Sequence, residues 1–144
     1  MTTIRPARTY DAAAIAELGM QLGYPATRQQ IATRLAAIES DAASRVLVVE
    51  NNEGRVIGWV HVAVRAQLTE DTCAEILGLV VDEAARGAGI GELLLRSAEA
   101  WARSSGCERM RVRSATHRER AHRFYERTGY ERVKTQQVLA KPLF

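Results

Sequence analysis

The sequence predicts an α/β (α+β) fold: one domain over residues 1–144, with a mixed central sheet and helices on both faces. Three observations carry this expectation. Runs rich in β-branched residues alternate with helical apolar stripes in the order βααβββαβαβ. Two of those runs flank an Asn- and Gly-containing turn of hairpin type. The 144 residues, 47% hydrophobic and 26% charged, suit one core, with no repeat or low-complexity tract to divide it.

The elements follow in chain order. "TIRPAR" reads as a short strand, and "YDAAAIAELGMQLGYP" as a helix with Asp11 near its start, Ile15 and Leu18 on one face, and Pro25 soon after its end. Thr27 and Gln30 have capping-box spacing at the head of a second helix, whose apolar stripe is Ile31, Leu35 and Ile38. "RVLVVE" and "RVIGWVHVAV" read as strands on either side of "NNEG", whose Asn and Gly residues suit a tight turn. "AEILGLVV" is the next strand, "GIGELLLRSAEAWARSSG" a helix ended by Gly106, and "RMRVRSA" a further strand. "RERAHRFYERTG" is a helix ended by Gly129, and "YERVKTQQVLAKPLF" a last strand region.

Composition narrows the function classes. No apolar run approaches the roughly 20 residues that cross a bilayer, and "MTTIRPARTYD" lacks a signal-peptide core. A cytoplasmic protein with no membrane partner is expected. Cys73 and Cys107 lack the spacing of a zinc site or disulfide framework, so two reduced thiols and no metal are expected. The net charge of +3 and a pI of about 9.2 point mildly to an anionic ligand.

The stretch "LVVDEAARGAGIGELLLRSAEAWA" supplies a candidate for that ligand's site. Gly87, Gly89 and Gly91 remove the Cβ atoms that would keep a ligand from the main chain, where a strand feeds a helix. The first helical turn adds unpaired N–H groups and the positive end of its dipole, a setting suited to a pyrophosphate. No Lys follows Gly91, so a Walker loop is excluded, and the dinucleotide fingerprint does not fit either. A ligand-free strand-to-helix turn is the alternative.

Arg86, Gly89 and Gly91 spell [RQ]xxGx[GA] directly after Leu79, Val80 and Val81, and "AHRFYERTGYE" follows later. In this combination the chain resembles the GNAT superfamily of N-acetyltransferases over essentially its whole length. The resemblance implies that the pyrophosphate of acetyl coenzyme A (acetyl-CoA) lies on Arg86, Gly87, Ala88, Gly89, Ile90 and Gly91. It places the pantetheine arm along Leu79, Val80 and Val81, through main-chain groups. It extends the cofactor site to Arg118, Ala121 and Tyr125. Many relatives carry an asparagine three residues before that alanine where this chain has Arg118, so that contact is not the family's own.

The resemblance also implies roles in catalysis. Tyr125 occupies the place of the tyrosine that commonly protonates the departing thiolate; the alternative is an aromatic packed beside Phe124. An acceptor ammonium of pKa near ~10 leaves roughly one molecule in a thousand neutral at pH 7, so its proton must be removed. Glu75, six residues before Val81, is the first candidate base, with His61 or a water relay as alternatives. Period-two alternation puts Glu75 on the face of Leu77, Leu79 and Val81 unless a bulge intervenes. Arg109, Arg111 and Arg113 share one strand face and read as a wet or partner-facing surface.

Three function classes follow. The first is an enzyme moving acetyl to a small-molecule primary amine by direct attack, with an aminoglycoside-like branch suggested by the N-terminal half. The second is a non-catalytic acyl-CoA sensor. The third, a nucleic-acid module, is disfavoured because acidic Glu119 and Glu126 interrupt the arginines and no recognition motif accompanies them. "LGYPAT" and the end of "WVHVAV" are expected to border the acceptor cleft. The oligomeric state is left open by the sequence, with the C-terminal strand offering an exposed edge at which a second copy could pair as a homodimer.

Overall fold

Residues 1–144 are described by the structure, a computed structural model, in two units, 1–112 and 113–144. In the first, β1 (Thr3–Pro6), β2 (Ser44–Glu50), β3 (Val56–Arg65), β4 (Cys73–Val81) and β5 (Met110–Val112) form one sheet in that order. The first three pairings are antiparallel and β4 with β5 is parallel, so the sheet is mixed.

Helices α1 (Ala12–Leu22), α2 (Arg28–Glu39) and α3 (Ile90–Ser104) cover both faces. On one, Ala12, Ile15 and Leu18 of α1 and Leu35 of α2 pack with Val46, Val48 and Val80, and Trp59 lies against them. On the other, α3 buries Leu94, Leu95 and Ala98. There a Cβ on Gly58 would stand 3.1 Å from both Leu94 and Val49. Burial on both faces explains why β2 and β3 read as nearly continuous apolar runs. The capping box forms as expected: Gln30 N donates to Thr27 Oγ1 at 3.1 Å and Thr27 N to Gln30 Oε1 at 2.9 Å.

A β-bulge then decides the chemistry of one face. His61 pairs with Gly78 but Val62 pairs with Ile76, which leaves Leu77 as an extra residue. Trp59, His61 and Ala63 alternate onto one face, opposite Val80, Gly78 and Glu75. Glu75 therefore shares the α1 and α2 face with Gly78 and Val80, and the uninterrupted alternation with Leu79 and Val81 does not hold. β5 pairs with β4 only at Ala74, Glu75 and Ile76. Beyond that fork, residues 77–81 have β3 on one side and no strand on the other.

The second unit contains α4 (Glu119–Arg127). Tyr125 packs edge-to-face with Phe124 and Tyr130, ring centroids 5.1 and 5.6 Å apart. Residues 130–144 form neither helix nor strand, so the last strand expected there is absent and the order is βααβββαβα. A strand exists by its ladder to a neighbour, and residues 113–144 form no such ladder. Within this unit Arg113 Nη1 donates to Gln136 Oε1 at 2.8 Å.

Candidate active site

The segment between β4 and α3 divides sharply at Gly87. Before it, every main-chain N–H has a partner. Asp82 N donates to Ile57 O at 2.8 Å, Glu83 N to Gln21 Oε1 at 3.0 Å and Ala84 N to Asp82 Oδ1 at 3.3 Å. Ala85 N donates to Asp82 O at 2.9 Å and Arg86 N to Glu83 O at 3.4 Å. From Gly87 to Glu92 no N–H meets a protein acceptor, and the first bond into the helix comes from Leu93 to Gly89 O at 3.1 Å. Six consecutive donors are thus free at a helix N-terminus, where the dipole favours an anion.

Glycine is required there by backbone geometry. Gly87 and Gly89 have φ of 88° and 78°, and nothing lies within 4 Å of where a Cβ would stand on either. Gly91 and Ile90 lie inside α3, and Ala88 between the two left-handed glycines. The Arg86 Nε donates to Val81 O at 3.2 Å, and its Nη1 stands 3.9 Å from Glu83 Oε1. The guanidinium closes the loop onto the end of β4.

Glu75 is buried in a charged network. Arg111 Nε donates to Glu75 Oε1 at 3.0 Å, Arg65 Nε stands 3.6 Å from Glu75 Oε2, and Arg111 Nη1 donates to Glu70 Oε1. The Arg111 side chain is only 10% exposed, which corrects its reading as part of a wet surface. Its carboxylate partners explain the burial, since a charge leaves water only when paired. His61 lies on the same face, and its Nε2 is buried without a partner. Burial, and then the charge of Arg65, lowers its pKa and favours the neutral ring.

In the second unit, Tyr125 lies on α4, Ala121 in the first turn of that helix, and Arg118 at its N-cap. Burial pushes the Tyr125 phenol up to about 12, with Arg118 opposing the rise. Both cysteines are free and buried. Burial, and then Cys73, raises the Cys107 thiol.

The two segments expected to border the acceptor lie at opposite ends of β4. Gln21, just before the α1 to α2 connection, bonds Asp82 and Glu83 beyond its C-terminal end, whereas Val64 pairs with Ala74 at its N-terminal end. The sequence reading passes over Asp82 and Gln21 and places Arg111 on a wet surface. Asp82, an acidic residue directly after a β-branched run, had a local signal as a cap; the other two had none.

The profile of the Acetyltransferase (GNAT) family matches residues 12–130. Aminoglycoside N(6')-acetyltransferase type 1 of Klebsiella aerogenes is 29% identical over 110 residues, 72% of each chain. Aminoglycoside antibiotic 6'-N-acetyltransferase AAC(6')-Ih from Acinetobacter baumannii superposes with a TM-score of 0.88 over 100% of both chains at 16% identity. An acetyltransferase of Trypanosoma brucei gives 0.80 over 98% of this chain and 100% of its own, at 24% identity. These solved structures bear on the fold. No helix is long and apolar enough to cross a membrane. The profile covers the forked strand, the bare loop and the Tyr125 helix in one continuous match, and by it this chain belongs to the GNAT family of acetyltransferases.

Proposed function

We propose that the chain transfers acetyl from acetyl-CoA to a primary amine of a small molecule by direct attack, without a metal or an acyl-enzyme step. The run of six free amides from Gly87 to Glu92 carries the reading. It fits a pyrophosphate: the donors are consecutive, the Cβ positions of Gly87 and Gly89 are empty, and no side chain caps the helix.

Acetyl-CoA supplies the activated acyl group and its thiolate leaving group. Leu79, Val80 and Val81, beyond the fork, offer main-chain groups to the pantetheine arm, and Arg86 holds the loop closed through Val81 O. The resemblance assigns Ala121 to the cofactor site, and Arg118 stands where many relatives carry an asparagine. The Tyr125 phenol, at about 12, keeps its proton at neutral pH. Full transfer to a thiolate whose conjugate acid lies near ~8.5 would run uphill, so Tyr125 acts by donating a hydrogen bond to sulfur as the C–S bond breaks.

Both Glu75 oxygens already face guanidinium groups, and His61 Nε2 is buried. These observations support proton removal through a water relay that ends near the negative charge of Glu75. The similarity to an aminoglycoside N(6')-acetyltransferase supports an aminoglycoside-like or other small amine as the acceptor. A cleft of about 710 Å³ at the N-terminal end of β4 has Glu70, Asp71 and Glu108, and also Arg109, among its lining residues.

The test is thiol release from acetyl-CoA with a panel of aminoglycosides, polyamines, amino acids and peptide N-termini. Turnover with at least one amine is expected. Tight coenzyme A binding without turnover on any amine favours the sensor.

A further inference from the structure

We propose that Gln21, on α1, is a positioning residue for the acetyl-CoA loop: its side-chain amide holds the turn that leaves the amides of residues 87–92 free. The proposal rests on the assignment of the pyrophosphate to residues 86–91.

Of the five N–H groups from Asp82 to Arg86, four find acceptors within β3 or the turn itself. Glu83 is the exception. Its N–H donates to Gln21 Oε1 at 3.0 Å, and Gln21 Nε2 donates in turn to Asp82 Oδ1 at 3.3 Å. Both ends of one amide are used on consecutive residues. The orientation is dictated by chemistry, because a backbone N–H only donates and an ionised carboxylate only accepts. Asp82 is buried, takes Arg55 Nη2 on its other oxygen at 2.8 Å, and caps the turn by accepting from Ala84 N.

Gln21 itself is exposed, so its apolar contribution to the core is small. Without its amide, Glu83 N–H faces solvent, and the three-residue turn Glu83–Ala85 loses its tie to α1. A loop that samples other conformations binds more weakly by the fraction of time it is competent. Gln21 touches no reacting atom, and its effect is on affinity.

The experiment compares the full chain with Gln21→Met, which keeps length and removes both polar ends, and with Gly89→Glu, which places a charge in the loop. Coenzyme A binding is measured by calorimetry, with KM for acetyl-CoA, kcat, melting temperature and amide exchange. Gln21→Met is expected to weaken coenzyme A about five- to tenfold, to raise KM by the same factor, and to leave saturated kcat within about twofold. Exchange should accelerate at residues 83–86, and the melting temperature should fall by no more than a few degrees, because Asp82 keeps its bonds from Arg55 Nη2 and Ala84 N. Unchanged coenzyme A affinity in Gln21→Met, while Gly89→Glu loses it, overturns the positioning role. An equal fall in kcat overturns it as well, since loop positioning acts before chemistry. Unchanged affinity in Gly89→Glu overturns the pyrophosphate assignment beneath it.

Discussion

Replacing Gly89 separates charge from backbone strain in the cofactor loop. At φ 78° any Cβ costs about 1–2 kcal/mol, and since nothing lies within 4 Å of its position, Gly89→Ala adds strain without a clash. Gly89→Glu adds the same strain and a carboxylate beside the six free amides. Against one unit of phosphate charge at about 7 Å, with an effective dielectric of about 20, the repulsion is ~2.4 kcal/mol before screening. Screening leaves about 2 kcal/mol at 0.01 M salt and about 1 kcal/mol at 0.15 M. The coenzyme A Kd of Gly89→Glu should therefore exceed that of Gly89→Ala roughly 25-fold at low salt and fivefold at 0.15 M. Calorimetry at several salt concentrations reads this gap directly. Equal Kd values for the two variants at low salt would refute the pyrophosphate assignment, because strain alone would then account for both.

Tyr125→Phe keeps the rings packed with Phe124 and Tyr130, so coenzyme A binding and melting temperature should hold while turnover falls about a hundredfold. Near-parental turnover in a chemistry-limited assay would reject the hydrogen bond from Tyr125 to the departing sulfur. Arg111→Gln strips Glu75 and Glu70 of a buried guanidinium and should cost about 3 kcal/mol, or roughly 6–12 °C of melting temperature; a shift under ~3 °C would show that the network contributes little. The Asp82 carboxyl is held below its ordinary value of 3.8 by the Gln21 hydrogen bond and the Ala84 N–H, against the opposing effect of burial. Its stabilisation is complete above the unfolded pKa and is lost as pH falls through the lower folded value. The parent should thus lose stability steeply below about pH 4, and Asp82→Asn should flatten that limb of the melting curve; parallel curves there would contradict the assignment.

Signals that depend on neighbours within a turn or two were legible in the chain. Thr27 and Gln30 satisfy each other across three residues, Gly106 and Gly129 sit just past α3 and α4, and the small residues around Gly89 mark where β4 yields to α3. The free amides follow from that local junction, since any helix N-terminus lacking a cap leaves donors unpaired. Glu75 is different. Its type and distance from Val81 were readable, but its face depended on the extra residue at Leu77, and strand register is set by packing across the sheet. Arg111 looked solvated by alternation because nothing nearby in sequence announces Glu75, 36 residues away, or Glu70, 41 away. Gln21 likewise meets Asp82 across 61 residues. The strand expected over residues 130–144 failed for the same reason, since alternation supplies side chains for a strand but not the neighbour that its backbone must bond. Pairings of this kind come into being only when the chain folds, because burial makes an unpaired charge or N–H costly and so selects partners that sequence distance conceals.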